Sequence, residues 1–69
     1  MRIKIISKNK NISDYSDVLK KFGYQSEPNR KASIEANKLG DLFTVCNSLN
    51  KDIIITEDLD GTQALQIQD

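Results

Sequence analysis

The sequence contains no histidine, no tryptophan, one cysteine, one proline and three glycines in 69 residues. Without histidine there is no imidazole base for a nucleophilic triad. One cysteine excludes a disulfide framework and a cysteine/histidine zinc site within one chain. The glycines stand far apart, so no phosphate-cradling loop is present, and no cofactor motif is found. No apolar run approaches the ~18 residues needed to cross a bilayer. Ten Lys/Arg balance ten Asp/Glu, which excludes both a histone-like polycation and a wholly acidic DNA mimic. Met1 to Ser7 carries positive charge, but Lys4 breaks the only apolar stretch and no small-residue cleavage site follows. Neither lipidation signal is present. A cytoplasmic protein is expected, in keeping with a free thiol.

Within one domain, residues 1–69, hydropathy spacing suggests six elements. Arg2 to Ser7 alternates as a strand, with Ile3 and Ile5 on one face. Ile12, Tyr15, Leu19 and Phe22 recur at helical spacing. Ser13 is placed to cap a helix over about 14–22, and Gly23 to end it in the left-handed conformation, with Tyr24 folding back. Gln25 to Arg30, around Pro28, reads as loop. Ala32, Ile34 and Ala36 alternate as a short strand, and Asn37 is placed to cap a second helix. There Leu39, Leu42, Phe43, Cys46 and Leu49 form the clearest apolar stripe of the chain, with Asn50 as its stop. Ile53-Ile54-Ile55-Thr56 is a β-branched strand. Asp60-Gly61 marks a turn, and Leu65 and Ile67 alternate in a last strand, forming an antiparallel hairpin.

These readings give an α/β (α+β) two-layer sandwich of order β-α-β-α-β-β, with two helices on one face of a four-stranded mixed sheet. A right-handed crossover is expected for the middle β-α-β unit if its strands are parallel and share the sheet. The expected core is Ile3, Ile5, Tyr15, Leu19, Phe22, Ile34, Leu39, Leu42, Phe43, Cys46, Leu49, Ile53, Ile55, Leu65 and Ile67. Phe43→Ala is expected to cost about 3–5 kcal/mol. The other face should present Arg2, Lys4, Ile6, Ser33, Glu35, Ile54, Thr56, Gln66 and Gln68. Ile6 and Ile54 stand out there, either as β-branched residues on a pleated surface or as the centre of a dimer or partner interface.

The charge balance conceals a split. Residues 1–38 hold nine basic and four acidic residues, whereas residues 39–69 hold one and six. The fold either separates these halves into two faces or interleaves them. On the basic side, Lys8, Lys10, Lys20, Lys21, Arg30 and Lys31 could contact phosphates. Tyr24 is the one aromatic near them, and no nucleic-acid signature accompanies them. On the acidic side, Glu57, Asp58 and Asp60 form a loop suited to a basic partner surface. It is not a calcium loop: with Asp58 and Asp60 in ligand positions, Thr56 and Ile67 stand where carboxylates are required. Cys46, on the apolar stripe, reads as a buried inert thiol. Nothing in the chain assembles a catalytic site.

The segment Ala36-Asn37-Lys38-Leu39-Gly40-Asp41-Leu42-Phe43, the strand Ile53-Ile54-Ile55 and the ending Leu65-Gln66-Ile67-Gln68-Asp69 together resemble a pattern in short uncharacterised phage and prophage proteins. The resemblance covers about residues 31–69; Gly40 and the longer Asp58–Gln63 connection depart from it. It implies a small non-enzymatic protein that binds a host protein. Inhibitors of bacterial defence nucleases, anti-CRISPR proteins among them, fall in this size class. It carries over no site residue. The leading expectation is therefore a protein-binding inhibitor or adaptor acting through Glu57, Asp58, Asp60, Ile6 and Ile54. The alternatives are a nucleic-acid-associated protein using the basic half and a homo-oligomeric module.

Overall fold

A computed structural model describes all residues, 1–69. Five strands form one mixed sheet: β1 (Arg2–Ser7), β2 (Gln25–Glu27), β3 (Lys31–Glu35), β4 (Asp52–Glu57) and β5 (Gln63–Gln68), in the order β2-β3-β1-β5-β4. The central strand β1 runs antiparallel to β3 and parallel to β5, and β4 and β5 form the expected antiparallel hairpin. β3 and β4 therefore run in the same direction, joined through the second helix, but β1 and β5 lie between them.

The fifth strand corrects the expected four. Gln25, Ser26 and Glu27 show no apolar alternation, yet they pair with Ser33, Ala32 and Lys31. The chain turns back to β3 through Pro28-Asn29-Arg30, where both Asn29 (φ 62°) and Arg30 (φ 59°) are left-handed. The Arg30 conformation costs an L-residue roughly 1–2 kcal/mol.

The first helix is also shorter than expected. Only Ser16–Leu19 (α1) is α-helical, flanked by 3-10 turns at Ile12–Tyr15 and Lys20–Phe22. Ile12 and Tyr15, three residues apart, are both buried, and the tighter 3-10 winding puts such positions on one side. Gly23 ends the segment with φ 66°. The second helix, α2, spans Leu39–Ser48 after a 3-10 turn at Ala36–Lys38; Asn37 makes no side-chain cap. It stops as expected at Asn50, φ 56°. The Lys51 N–H donates to the Cys46 carbonyl (2.9 Å) and the Asn50 N–H to that of Asn47 (3.1 Å), a Schellman ending.

The core lies between the sheet and the helical segments: Ile5, Ile12, Tyr15, Leu19, Ala32, Ile34, Leu42, Cys46, Leu65 and Ile67, with Ile3, Phe22, Tyr24, Leu39 and Ile53 packed around it. Three expected core residues stand outside it. Phe43 is 43% exposed, Leu49 46% and Ile55 66%. Phe43 lies on the flank of the α2 stripe, and Leu49 follows the last helical turn. Ile55 shares the helix-side face with its register partner Leu65, but on an edge strand that α2 leaves uncovered at this end. No helix is long and apolar enough to cross a membrane.

Candidate protein-docking site

Register places Arg2, Lys4, Ile6, Ser33, Glu35, Ile54, Thr56, Gln66 and Gln68 together on the face away from the helices. That face is not uniformly open. Ala64 is fully buried on it and Ser33 nearly so. Ile6 and Ile54 do not form one patch, because Gln66 stands between them in the register.

The β4–β5 turn is held by charge. The Lys4 ammonium donates to Asp58 (3.1 Å), Asp60 (2.6 Å) and the Thr62 hydroxyl (2.9 Å). Lys31 donates to the other oxygen of Asp58, which also accepts the Leu59 N–H at 2.9 Å. Asp60 accepts the Thr62 N–H at 3.0 Å. The Gly61 N–H closes the turn onto the Asp58 carbonyl at 2.9 Å, and the positive φ of 81° is one glycine adopts freely. The Asp58 side chain is only 7% exposed. A carboxylate so covered requires compensating charge and donors, which Lys31, Leu59 and Lys4 supply, holding its carboxyl at about 2. Lys4, then Thr62, hold the Asp60 carboxyl well below the usual carboxylate range. In return, Asp60 and Asp58 raise the Lys4 ammonium above its ordinary value.

The split charges thus meet: Lys4 and Lys31 of the basic half are engaged by Asp58 and Asp60 of the acidic half. Of the acidic loop, Glu57 remains exposed and free of ion pairs. Between the two spent aspartates, Leu59 is 100% exposed. Sequence reading does not single out Leu59, although an isolated apolar residue within Glu57-Asp58-Leu59-Asp60-Gly61 is a signal of it.

The basic candidates scatter. Lys10, Arg30 and Lys31 line one shallow depression with Ile6 and Ser7, whereas Lys8, Lys20 and Lys21 do not reach it. Lys31 is committed to Asp58. Cys46 is buried, and burial pushes its thiol up.

A second polar knot closes the far end of the fold. Asp69 accepts hydrogen bonds from the Ser7 hydroxyl, the Asn9 N–H (2.8 Å) and the Tyr15 hydroxyl (2.7 Å). Burial pushes the Asp69 carboxyl up, but these donors outweigh it and hold the group well below its ordinary value. Burial first, and then Asp69, push the Tyr15 phenol up to about 12. This knot ties the segment after β1 to the end of β5.

The chain matches no protein-family model, no curated protein and no solved structure.

Proposed function

We propose that this protein is a non-enzymatic protein-binding module that acts through its β4–β5 turn, with Leu59 as the anchor and Glu57 beside it. One observation carries the reading: a fully exposed leucine stands on a turn fixed by two lysines and two aspartates. An exposed leucine adds nothing to folding, and a turn this heavily bonded is not needed merely to reverse a hairpin. Held in place beforehand, an apolar anchor binds a pocket with little further loss of conformational freedom. Asp58 and Asp60 serve as the frame rather than the contact, and Glu57 supplies charge toward a basic rim. The resemblance to short phage proteins extends the proposal to a phage-encoded inhibitor or adaptor, directed at a host defence protein in the bacterial cytoplasm.

The test is affinity capture from host lysate treated with nuclease, comparing the tagged wild type with Leu59→Asp and with Lys20→Glu/Lys21→Glu. Stoichiometric capture of one protein, lost in Leu59→Asp and kept in the lysine variant, is the expected result. Capture that vanishes with nuclease and with the lysine changes would overturn it in favour of nucleic acid.

A further inference from the structure

The two edges of the sheet are built differently. β2 is three residues long, wholly polar, and followed at once by Pro28. Short polar strands ended by proline are how natural sheets discourage strand addition. β4 has none of these guards. It is six residues long, carries Ile53, Ile54 and Ile55 in succession, and contains no lysine or proline. One isoleucine on each face is uncovered, Ile54 at 47% and Ile55 at 66% exposure, whereas Ile53 packs against the core.

Its main chain is unpaired on the outer side. The Asp58 N–H donates to the Thr62 carbonyl at 2.8 Å, and the register continues through Thr56↔Ala64, Ile54↔Gln66 and Asp52↔Gln68. In an antiparallel ladder the bonded positions alternate, so Ile53, Ile55 and Glu57 direct their N–H and C=O groups away from β5. Residues of this set must face one another when a second copy of β4 is added antiparallel.

We propose that the β4 edge pairs antiparallel with β4 of a second copy, about a two-fold axis at Ile54, to form a continuous ten-stranded sheet. Charge selects both the partner and the register. In this alignment Ile53 faces the second copy's Ile55, Ile54 faces its own equivalent, and Lys51 faces Glu57. Neither Lys51 nor Glu57 has an ion pair within the chain, and the symmetry satisfies both twice. Shifting the axis to Ile55 would set Lys51 against Leu59 and Glu57 against Ile53. Shifting it to Ile53 would set Lys51 against Ile55 and Glu57 against Leu49. Only the Ile54 register matches isoleucine with isoleucine and lysine with glutamate.

The helix-side face fits the same arrangement. Phe43, Cys46, Asn47 and Ile53 line a groove of about 450 Å³ between α2 and β4. The second copy's Ile55, directly across from Ile53, lies at its mouth, beside the half-exposed Phe43. The Leu59 turns fall at opposite ends of the paired strands, each five residues from the axis, so roughly 30 Å would separate them. The dimer would present two anchors to a target and gain avidity where the target is itself repeated.

The test is sedimentation velocity over a dilution series, with circular dichroism to verify folding. The wild type is expected to pass from the mass of one 7.8 kDa chain to twice that mass as concentration rises. Lys51→Glu alone and Glu57→Lys alone each bring like charges together at both ends of the pairing and should weaken association by about ten-fold, within the range of cross-strand charge pairs. In an equimolar mixture of the two single variants, one chain carries only acidic groups at these two positions and the other only basic ones. Opposite charges then meet again at both ends of the mixed pair, and dimer should reappear. Three results would overturn the proposal: a wild type that stays at the mass of one chain throughout, dimerisation unaffected by either reversal, or a mixture no more associated than its components. Capture through Leu59 is read separately, because that residue lies outside the paired segment.

Discussion

Leu42 and Phe43 are neighbours on one helix, and the structure separates them sharply. Leu42 is fully buried and Phe43 is 43% exposed. Truncating a buried leucine removes its transfer free energy and leaves a cavity, at about 2–5 kcal/mol together. A domain of this size holds only about 3–5 kcal/mol in reserve, so Leu42→Ala should leave the protein largely unfolded at 25 °C. A fully buried phenylalanine would cost about 3–5 kcal/mol. Phe43 loses only the part of its ring that is covered, and water reaches the space it vacates, so no closed cavity forms. Phe43→Ala should therefore cost about 1–2 kcal/mol, giving a folded protein with a lowered midpoint. Urea titration followed by circular dichroism distinguishes the two. A Phe43→Ala variant as damaged as Leu42→Ala, or a Leu42→Ala variant near wild-type stability, would refute this placement of the core.

Other consequences are open to equally direct measurement. The carboxyls of Asp58, Asp60 and Asp69 are lowered from an ordinary 3.8, Asp58 to about 2. Groups lowered in the folded state stabilise it above their unfolded value and lose that contribution as pH falls through the folded one. The melting temperature should hold from neutrality to about pH 5 and drop steeply toward pH 2; a flat profile would contradict the bonding described for the turn and for Asp69. Tyr15 should ionise near 12, so ultraviolet titration should show tyrosinate still forming there. A titration complete by about pH 11, only one unit above the ordinary tyrosine value of about 10, would contradict the burial of the Tyr15 phenol together with its bond to Asp69. Arg30→Gly, at φ 59°, should raise stability by up to about 1 kcal/mol, the relief of a left-handed L-residue offset in part by the unfolded-state entropy of glycine. A loss of stability would mean that the Arg30 side chain holds the turn.

Much of this architecture is legible from residue spacing. Ile3/Ile5, Ile34, Ile53–Ile55 and Leu65/Ile67 mark four strands because an isoleucine-rich alternation has few other uses in a short chain. Gly23 and Asn50 mark helix ends because a left-handed stop favours them. β2 is not legible, since Gln25-Ser26-Glu27 becomes a strand only by pairing with β3, a contact made in tertiary structure. The limits of the core are equally hidden. Phe43, Leu49 and Ile55 fit the apolar pattern, but whether a patterned residue is covered depends on how far α2 reaches across the sheet. In the candidate site, the sequence marks Glu57, Asp58 and Asp60 as a charged loop. It does not reveal that Lys4, 54 positions from Asp58, bonds to two of them, because strand order decides that meeting. Nor does it single out Leu59, whose proposed role rests on the ion pairs that hold the turn around it.

Backbone order parameters from nitrogen-15 relaxation read out whether the wholly exposed Leu59 is held rigidly. Values at Leu59, Asp60 and Gly61 are expected near those of the flanking strands, about 0.8, and should fall in a Lys4→Met variant that removes the Lys4 bonds to both aspartates. Values below about 0.6 at Leu59 in the wild type, as in a freely moving loop, would contradict that rigidity.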